Sequence, residues 1–86
     1  MSIEMTPKEA YVEARKQGYG TPELEAVIAT NDCWSFFYAN DVIKGRFPLG
    51  ESAIAKSEFW WEDYLKYIPM TEEDKTFLIL KYGAPK

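Results

Sequence analysis

Apolar side chains recur at spacings of three and four residues in short stretches that glycine or proline separates, which is the period of amphipathic helices. The first stretch opens with Thr6-Pro7-Lys8-Glu9. It combines a capping hydroxyl, a proline at the first helical position and a glutamate three residues after the cap, which together form a capping box. Gly18 then interrupts the pattern. These signals predict a helix over residues 7–17.

The same signals recur along the rest of the chain. Thr21-Pro22 again places a hydroxyl before a first-turn proline, Asn31 or Asp32 caps the third stretch, and Gly45 is expected to end it in the left-handed conformation. The run Phe77-Leu78-Ile79-Leu80 is too short for its period to separate helix from strand, but its flanking caps favour helix. The chain is therefore predicted to be all-α, with about six helices. They lie near residues 7–17 and 22–30, from the cap at Asn31 or Asp32 to Lys44, near 49–56 and 58–67, and after Thr71 with Lys81 near the end of the last one.

A shift of 26 residues aligns the chain with itself. The identical pairs are Pro22 and Pro48, Glu25 and Glu51, Ile28 and Ile54, Ala29 and Ala55, Trp34 and Trp60, and Tyr38 and Tyr64. Each copy comprises a short helix, a cap and a longer helix. The copies, at about residues 22–42 and 48–68, predict imperfect helix-pair repeats that stack into one minimal α-solenoid-like domain over residues 1–86.

The repeat divides the many aromatic residues into two groups. Trp34 and Trp60 occupy equivalent stripes of two helices and are predicted to pack in the core. Trp61 adjoins Trp60, and two adjacent tryptophans cannot share one helix face. Trp61 is therefore predicted to anchor a partner, and Phe47, which the repeat core also leaves unaccounted for, is a second candidate contact. The alternative for Trp61 is packing against the last helix.

Composition narrows the chemistry. The net charge of −4 argues against a broad phosphate-neutralising surface, although cations cluster near helix ends. The absence of histidine and the single Cys33 exclude His-based catalytic triads, zinc fingers and an internal disulfide. The paired acids Glu62-Asp63 and Glu72-Glu73-Asp74 fit solvated helix positions better than a catalytic site. No enzyme activity, metal or cofactor is predicted.

The compartment is expected to be the cytoplasm. The N-terminal residues contain neither a basic segment nor an apolar one, so neither a secretory signal nor a transit peptide is predicted. The strictly apolar run at residues 77–80 is far shorter than a membrane span requires. Cys33 is expected to behave as a small buried hydrophobic residue.

One segment carries a resemblance to a known group of proteins. Residues 38–55 read Tyr-Ala-Asn-Asp-Val-Ile-Lys-Gly-Arg-Phe-Pro-Leu-Gly-Glu-Ser-Ala-Ile-Ala. They resemble a tandem helical repeat of small bacteriophage proteins of unassigned function, in which Ala-x-Asp-Val-Ile-Lys-Gly-Arg-Phe/Trp-Pro follows an aromatic-containing helix. The match spans residues 33–60, while the first copy has Gln17-Gly18-Tyr19-Gly20 in place of the Lys-Gly-Arg linker. The resemblance implies a phage-encoded, all-helical protein and brings no catalytic residues.

Three functions remain as alternatives. The leading hypothesis is a non-enzymatic protein that binds and modulates a host or defence-system protein, as an inhibitor or antitoxin-like factor. The second is an RNA-binding accessory protein that uses a basic edge, and the third is a self-associating structural module. The candidate cations of the basic edge are Lys44, Arg46 and Lys56 around one linker, with Arg15 and Lys16 at the equivalent place in the first copy.

Overall fold

The computed structural model describes residues 5–85, and within them the chain forms six α-helices and no strand. The prediction of an all-α domain is confirmed. The predicted bounds agree with the observed ones to within two residues, except in the third helix. The helices are α1 (Pro7–Gln17), α2 (Pro22–Ile28), α3 (Asp32–Tyr38), α4 (Pro48–Ile54), α5 (Glu58–Tyr67) and α6 (Glu72–Tyr82).

Local capping explains most of these bounds. The Thr6 hydroxyl accepts from the Glu9 amide and the Glu9 carboxylate accepts from the Thr6 amide, so the predicted capping box is present. Asn31, not Asp32, caps α3, because its side chain accepts from the Trp34 amide at 2.9 Å. Each cap satisfies an amide that the helix leaves without a partner.

The third helix ends differently from the prediction. After Tyr38 the helix widens into a π-helical segment, Ala39–Ile43. The Lys44 amide donates to the Ala39 carbonyl at 2.7 Å, a bond that spans five residues. Lys44 takes the left-handed conformation at φ 60°, so the expectation that Gly45 does so is wrong.

The helix bounds recur along the chain. Those of α4 repeat those of α2, and α5 begins where α3 begins, each at a spacing of 26 residues. One hydrogen bond recurs with them, because the Tyr38 hydroxyl donates to Glu25 and the Tyr64 hydroxyl donates to Glu51, both at 2.6 Å. The sequence repeat therefore coincides with a tyrosine–glutamate bond that joins the long helix of a pair to its short helix.

Glu51 is the only buried charged residue among residues 5–85, at 3% exposure. Arg46 binds both of its carboxylate oxygens, at 2.8 and 2.9 Å, and the Tyr64 hydroxyl donates to one of them. Arg46 also reaches Asp74 on α6 at 3.2 Å. The Glu51 carboxylate, which accepts these bonds, raises the pKa of Arg46 further. We call Arg46, Glu51, Tyr64 and Asp74 the Glu51 cluster. It joins the linker that precedes α4 to three helices, α4, α5 and α6.

Helices α3 and α4 approach each other closely at Gly50. A Cβ atom at this position would lie 2.6 Å from the Ser35 hydroxyl oxygen and 2.7 Å from the Phe47 ring. Both neighbours are fixed in the core. Ser35 is fully buried and its hydroxyl donates to the Ile28 carbonyl at 2.9 Å, and the Phe47 ring is buried as well. Only glycine therefore fits between the two helices here.

We expect Gly50→Ala to lower the free energy of unfolding by about 1–3 kcal/mol, because overpacking outweighs the better helix propensity of alanine. The matched control is Gly45→Ala, whose added methyl group would meet only Ile43, at 3.9 Å. Urea denaturation of both variants measures the difference. Equal stability of the two variants would contradict the close approach.

The two tyrosine–glutamate bonds offer a matched pair of variants. Tyr64→Phe removes one of the three hydrogen bonds to the buried Glu51 and leaves the Phe47 amide without its acceptor, so we expect a loss of about 1–3 kcal/mol. Tyr38→Phe removes a bond to the half-buried Glu25, so we expect the smaller loss of about 1 kcal/mol. Chemical denaturation tests the order, and a larger loss for Tyr38→Phe would be inconsistent with it.

Candidate functional site

A continuous row of aromatic rings crosses three helices. It starts at Tyr11 on α1, passes through Trp34 and Phe37 on α3, and reaches Trp60 and Phe59 on α5. Successive ring centroids lie 5.2, 5.5, 5.3 and 4.7 Å apart. These separations and the tilted or edge-on ring planes are typical of attractive aromatic contacts. We call these five residues the aromatic row.

The exposure of the aromatic row rises from one end to the other. Tyr11 is buried, the three middle rings are half-buried, and Phe59 is 64% exposed. Phe36 lies beneath the middle of the row and contacts both Phe37 and Trp60, at 5.8 and 5.3 Å between centroids. The row is therefore held by the core on one side and open to solvent on the other.

The sequence spacing explains how the row forms. Trp34 and Phe37 are three residues apart and so share one face of α3. Trp60 is the repeat equivalent of Trp34, and Phe37 lies between the two, at 5.5 and 5.3 Å. The contact between α3 and α5 thus joins Trp34 to Trp60 through the Phe37 ring.

Tyr11 fixes the buried end of the row. Its hydroxyl donates to the Asp41 carboxylate in the π-helical segment, which ties α1 to the end of the third helix. Burial, and next the hydrogen bond to Asp41, raise the pKa of Tyr11 to about 12. The phenol therefore stays neutral and remains a donor over the physiological pH range.

Acidic residues border the exposed end of the row. Asp63 is half-buried and lies three and four residues after Trp60 and Phe59, which places it on their side of α5. Glu62 is exposed next to it. Tyr67 extends this side by one further turn and is exposed, with the Lys66 ammonium 5.2 Å from its ring centroid. The surface combines rigid aromatic groups with negative charge.

Trp61, the predicted exposed anchor, is buried at 3% exposure, so that prediction is wrong. Its ring stacks on Tyr64 at 5.7 Å and meets the edge of Tyr82 at 5.5 Å. Its indole N–H donates to the Gly83 carbonyl at 2.8 Å. The alternative considered for Trp61, packing against the last helix, is the one observed, and Trp60 is the more exposed of the two tryptophans.

Phe47, the second candidate contact, is also buried, so a partner cannot reach its ring and that prediction is wrong. Its ring lies edge-on to Tyr38 at 4.7 Å, and its amide donates to the Tyr64 hydroxyl at 2.9 Å. The linker before α4 therefore turns inward, and the Phe47 ring packs in the core.

The five candidate cations have different surroundings. Arg46 is engaged by Glu51 and Asp74 and is only partly exposed. The other four are exposed, with Arg15 and Lys16 in the last turn of α1, Lys44 after the π-helical segment and Lys56 after α4. Positive charge in the last turn of a helix is favourable without any ligand.

Cys33 is half-buried, not buried as expected. Partial burial, and then the neighbouring Asp32 carboxylate, raise the pKa of its thiol. The thiol is therefore kept in its protonated, less nucleophilic form.

A surface depression of about 440 Å³ lies on α6, lined by Glu72, Glu73, Thr76, Phe77 and Leu80. All of these residues belong to one helix, and a single helix cannot enclose a small molecule. The depression is therefore an exposed helix face.

No three Cys, Asp or Glu side chains among residues 5–85 are grouped so that they could hold a metal ion. None of the helices in this part of the chain has the length and apolar character that a bilayer span requires.

Comparison of the chain with known protein families, curated proteins and solved structures finds no match. The resemblance to a phage helical repeat therefore stays a prediction.

Three buried or part-buried tyrosine hydroxyls donate to carboxylates, which makes stability sensitive to alkali. The unfolded chain loses tyrosine protons near the ordinary pKa of 10, whereas the pKa of Tyr11 is about 12 and those of Tyr38 and Tyr64 are also raised. The free energy of unfolding is thus expected to hold below pH 10 and to fall as pH rises from 10 towards 12. Urea denaturation over this range tests it, with Tyr11→Phe expected to weaken the dependence. An unchanged pH dependence in Tyr11→Phe would contradict the assignment.

Proposed function

We propose that this chain is a non-enzymatic interaction protein that binds another protein through the aromatic row. The observation that carries the proposal is the graded exposure of the row, in which three half-buried rings lead to the largely exposed Phe59. Tryptophan and tyrosine are enriched among residues that dominate binding energy. Rings already fixed by core contacts lose little conformational freedom on binding.

The charge around the row indicates the chemistry of the partner. Asp63 and Glu62 border Phe59 and Trp60, and the whole chain carries a net charge of −4. A partner surface that offers an apolar groove with a basic rim would be complementary to this arrangement. The same carboxylates repel phosphate groups, which disfavours stacking of nucleic-acid bases on the row.

The RNA-binding alternative has less support than the sequence indicated. Arg46, one of the five cations of the predicted basic edge, is paired with Glu51 and Asp74, and the neighbouring Phe47 is buried and cannot stack on a base. We therefore retain protein binding as the proposed function. Modulation of a host or defence protein in the host cytoplasm by a phage-encoded factor is part of the proposal and rests on the resemblance of residues 33–60.

Affinity capture from a host-cell lysate tests the role of the aromatic row. The variant is Phe59→Ser, which changes a ring that is 64% exposed and should leave the fold intact. The control is Phe77→Ser, the same change at a ring that is 52% exposed on α6. We expect the wild type and the control to retain a protein in stoichiometric amount, and Phe59→Ser to retain at least about tenfold less.

Circular dichroism establishes that both variants are folded. Retention that is unchanged by Phe59→Ser, or that ribonuclease treatment abolishes, would contradict binding of a protein through the row.

A further inference from the structure

Helix α6 exposes an apolar side that no part of residues 5–85 covers. Leu78 is its fully buried residue, whereas Leu80 is 82% exposed and Phe77 is 52% exposed. Thr76, four residues before Leu80, lies on the same side and lines the surface depression described above. Large apolar groups exposed together on one helix face are typical of an interaction surface.

Opposite charges flank Phe77 at equal distances along α6. Glu73 and Lys81 lie four residues before and after it, so each is displaced by about 6 Å along the helix axis in opposite directions. Residues at this spacing share one ridge of the helix, and the Lys81 ammonium lies 5.7 Å from the Phe77 ring centroid. The ridge therefore presents a negative group at Glu73, an apolar ring at Phe77 and a positive group at Lys81, at equal intervals.

Two copies of this ridge that run in opposite directions are complementary, because the negative end of each then faces the positive end of the other. We propose that α6 binds α6 of a second copy of this chain in antiparallel orientation, about a two-fold axis at Phe77. The two Phe77 rings then meet at the axis, and Glu73 of each copy lies opposite Lys81 of the other. Leu80 is covered beside them. A parallel arrangement would instead place like charges together, so the charge pattern selects the antiparallel one.

The size of the face sets the strength of the dimer. A standard stable interface buries about 800 Å² on each partner, and one face of an 11-residue helix offers less. The dimer is consequently weak and dissociates on dilution. Its ion pairs are exposed at the rim, so added salt weakens it further.

Sedimentation equilibrium of the full chain over a concentration series tests the proposal. Wild-type protein should self-associate, and Glu73→Lys and Lys81→Glu should each weaken association about tenfold or more, because each variant alone pairs like charges twice. An equimolar mixture of the two variants should associate at least as well as the wild type, since the mixed dimer pairs opposite charges at both positions. Phe77→Ser should abolish the dimer, and Leu49→Ser, at an exposed leucine of α4, is the control.

Circular dichroism of each variant shows that α6 remains folded. A wild-type chain that stays monomeric at the highest concentration, or a mixture that associates no better than either variant alone, would overturn the proposal. A foreign protein that binds at Phe77 while the chain stays monomeric would do the same. Phe59→Ser should dimerise normally, so failure of the dimer and failure of binding through the aromatic row are told apart.

Discussion

A single buried carboxylate constrains most of this fold. Glu51 lies in the core at 3% exposure, and a carboxylate taken from water into such a site is strongly destabilising unless donors surround it. Arg46 and the Tyr64 hydroxyl supply three hydrogen bonds, and they come from the linker and from α5. Arg46 lies in the linker, so its two bonds to Glu51 hold the linker turned inward against α4. That turn also places Phe47 in the core, where its amide completes the hydrogen bonding of Tyr64.

The equivalent site in the first copy is built differently. Glu25 accepts a bond from Tyr38, but the position equivalent to Arg46 is Gly20. A Cβ atom on Gly20 would lie 1.9 Å from the Tyr38 hydroxyl oxygen, so the tyrosine itself occupies this space. Glu25 is half-buried and keeps some contact with water, which explains why it needs no arginine. The two copies therefore share a hydrogen bond while only the second forms an ion-pair cluster.

The sequence predicts the helix bounds well, because these depend on residues near each helix end. It predicts poorly which helix faces are buried, because that depends on contacts with distant helices. The bounds of α1, α2, α5 and α6 follow from caps and breakers within a few residues of each end, which can be recognised without knowledge of the fold. The periodic pattern shows that Trp60 and Trp61 lie on different faces of α5, but not which face another helix covers. That choice depends on α6 and Gly83, which lie about 20 residues further along the chain. The π-helical turn at residues 39–43 was equally beyond local rules, because nothing in Ala-Asn-Asp-Val-Ile distinguishes it from a regular helix.

The tyrosine–glutamate bond has a consequence for how such a chain can change in length. Each bond lies within one copy, between residues 13 positions apart, and so does not depend on how many copies precede or follow it. A copy added between the two would bring its own bond and its own ring for the aromatic row, and the row would grow longer by regular increments. Helix α6 is joined to the second copy in another way, because Asp74 reaches Arg46 at 3.2 Å and no tyrosine–glutamate bond is involved.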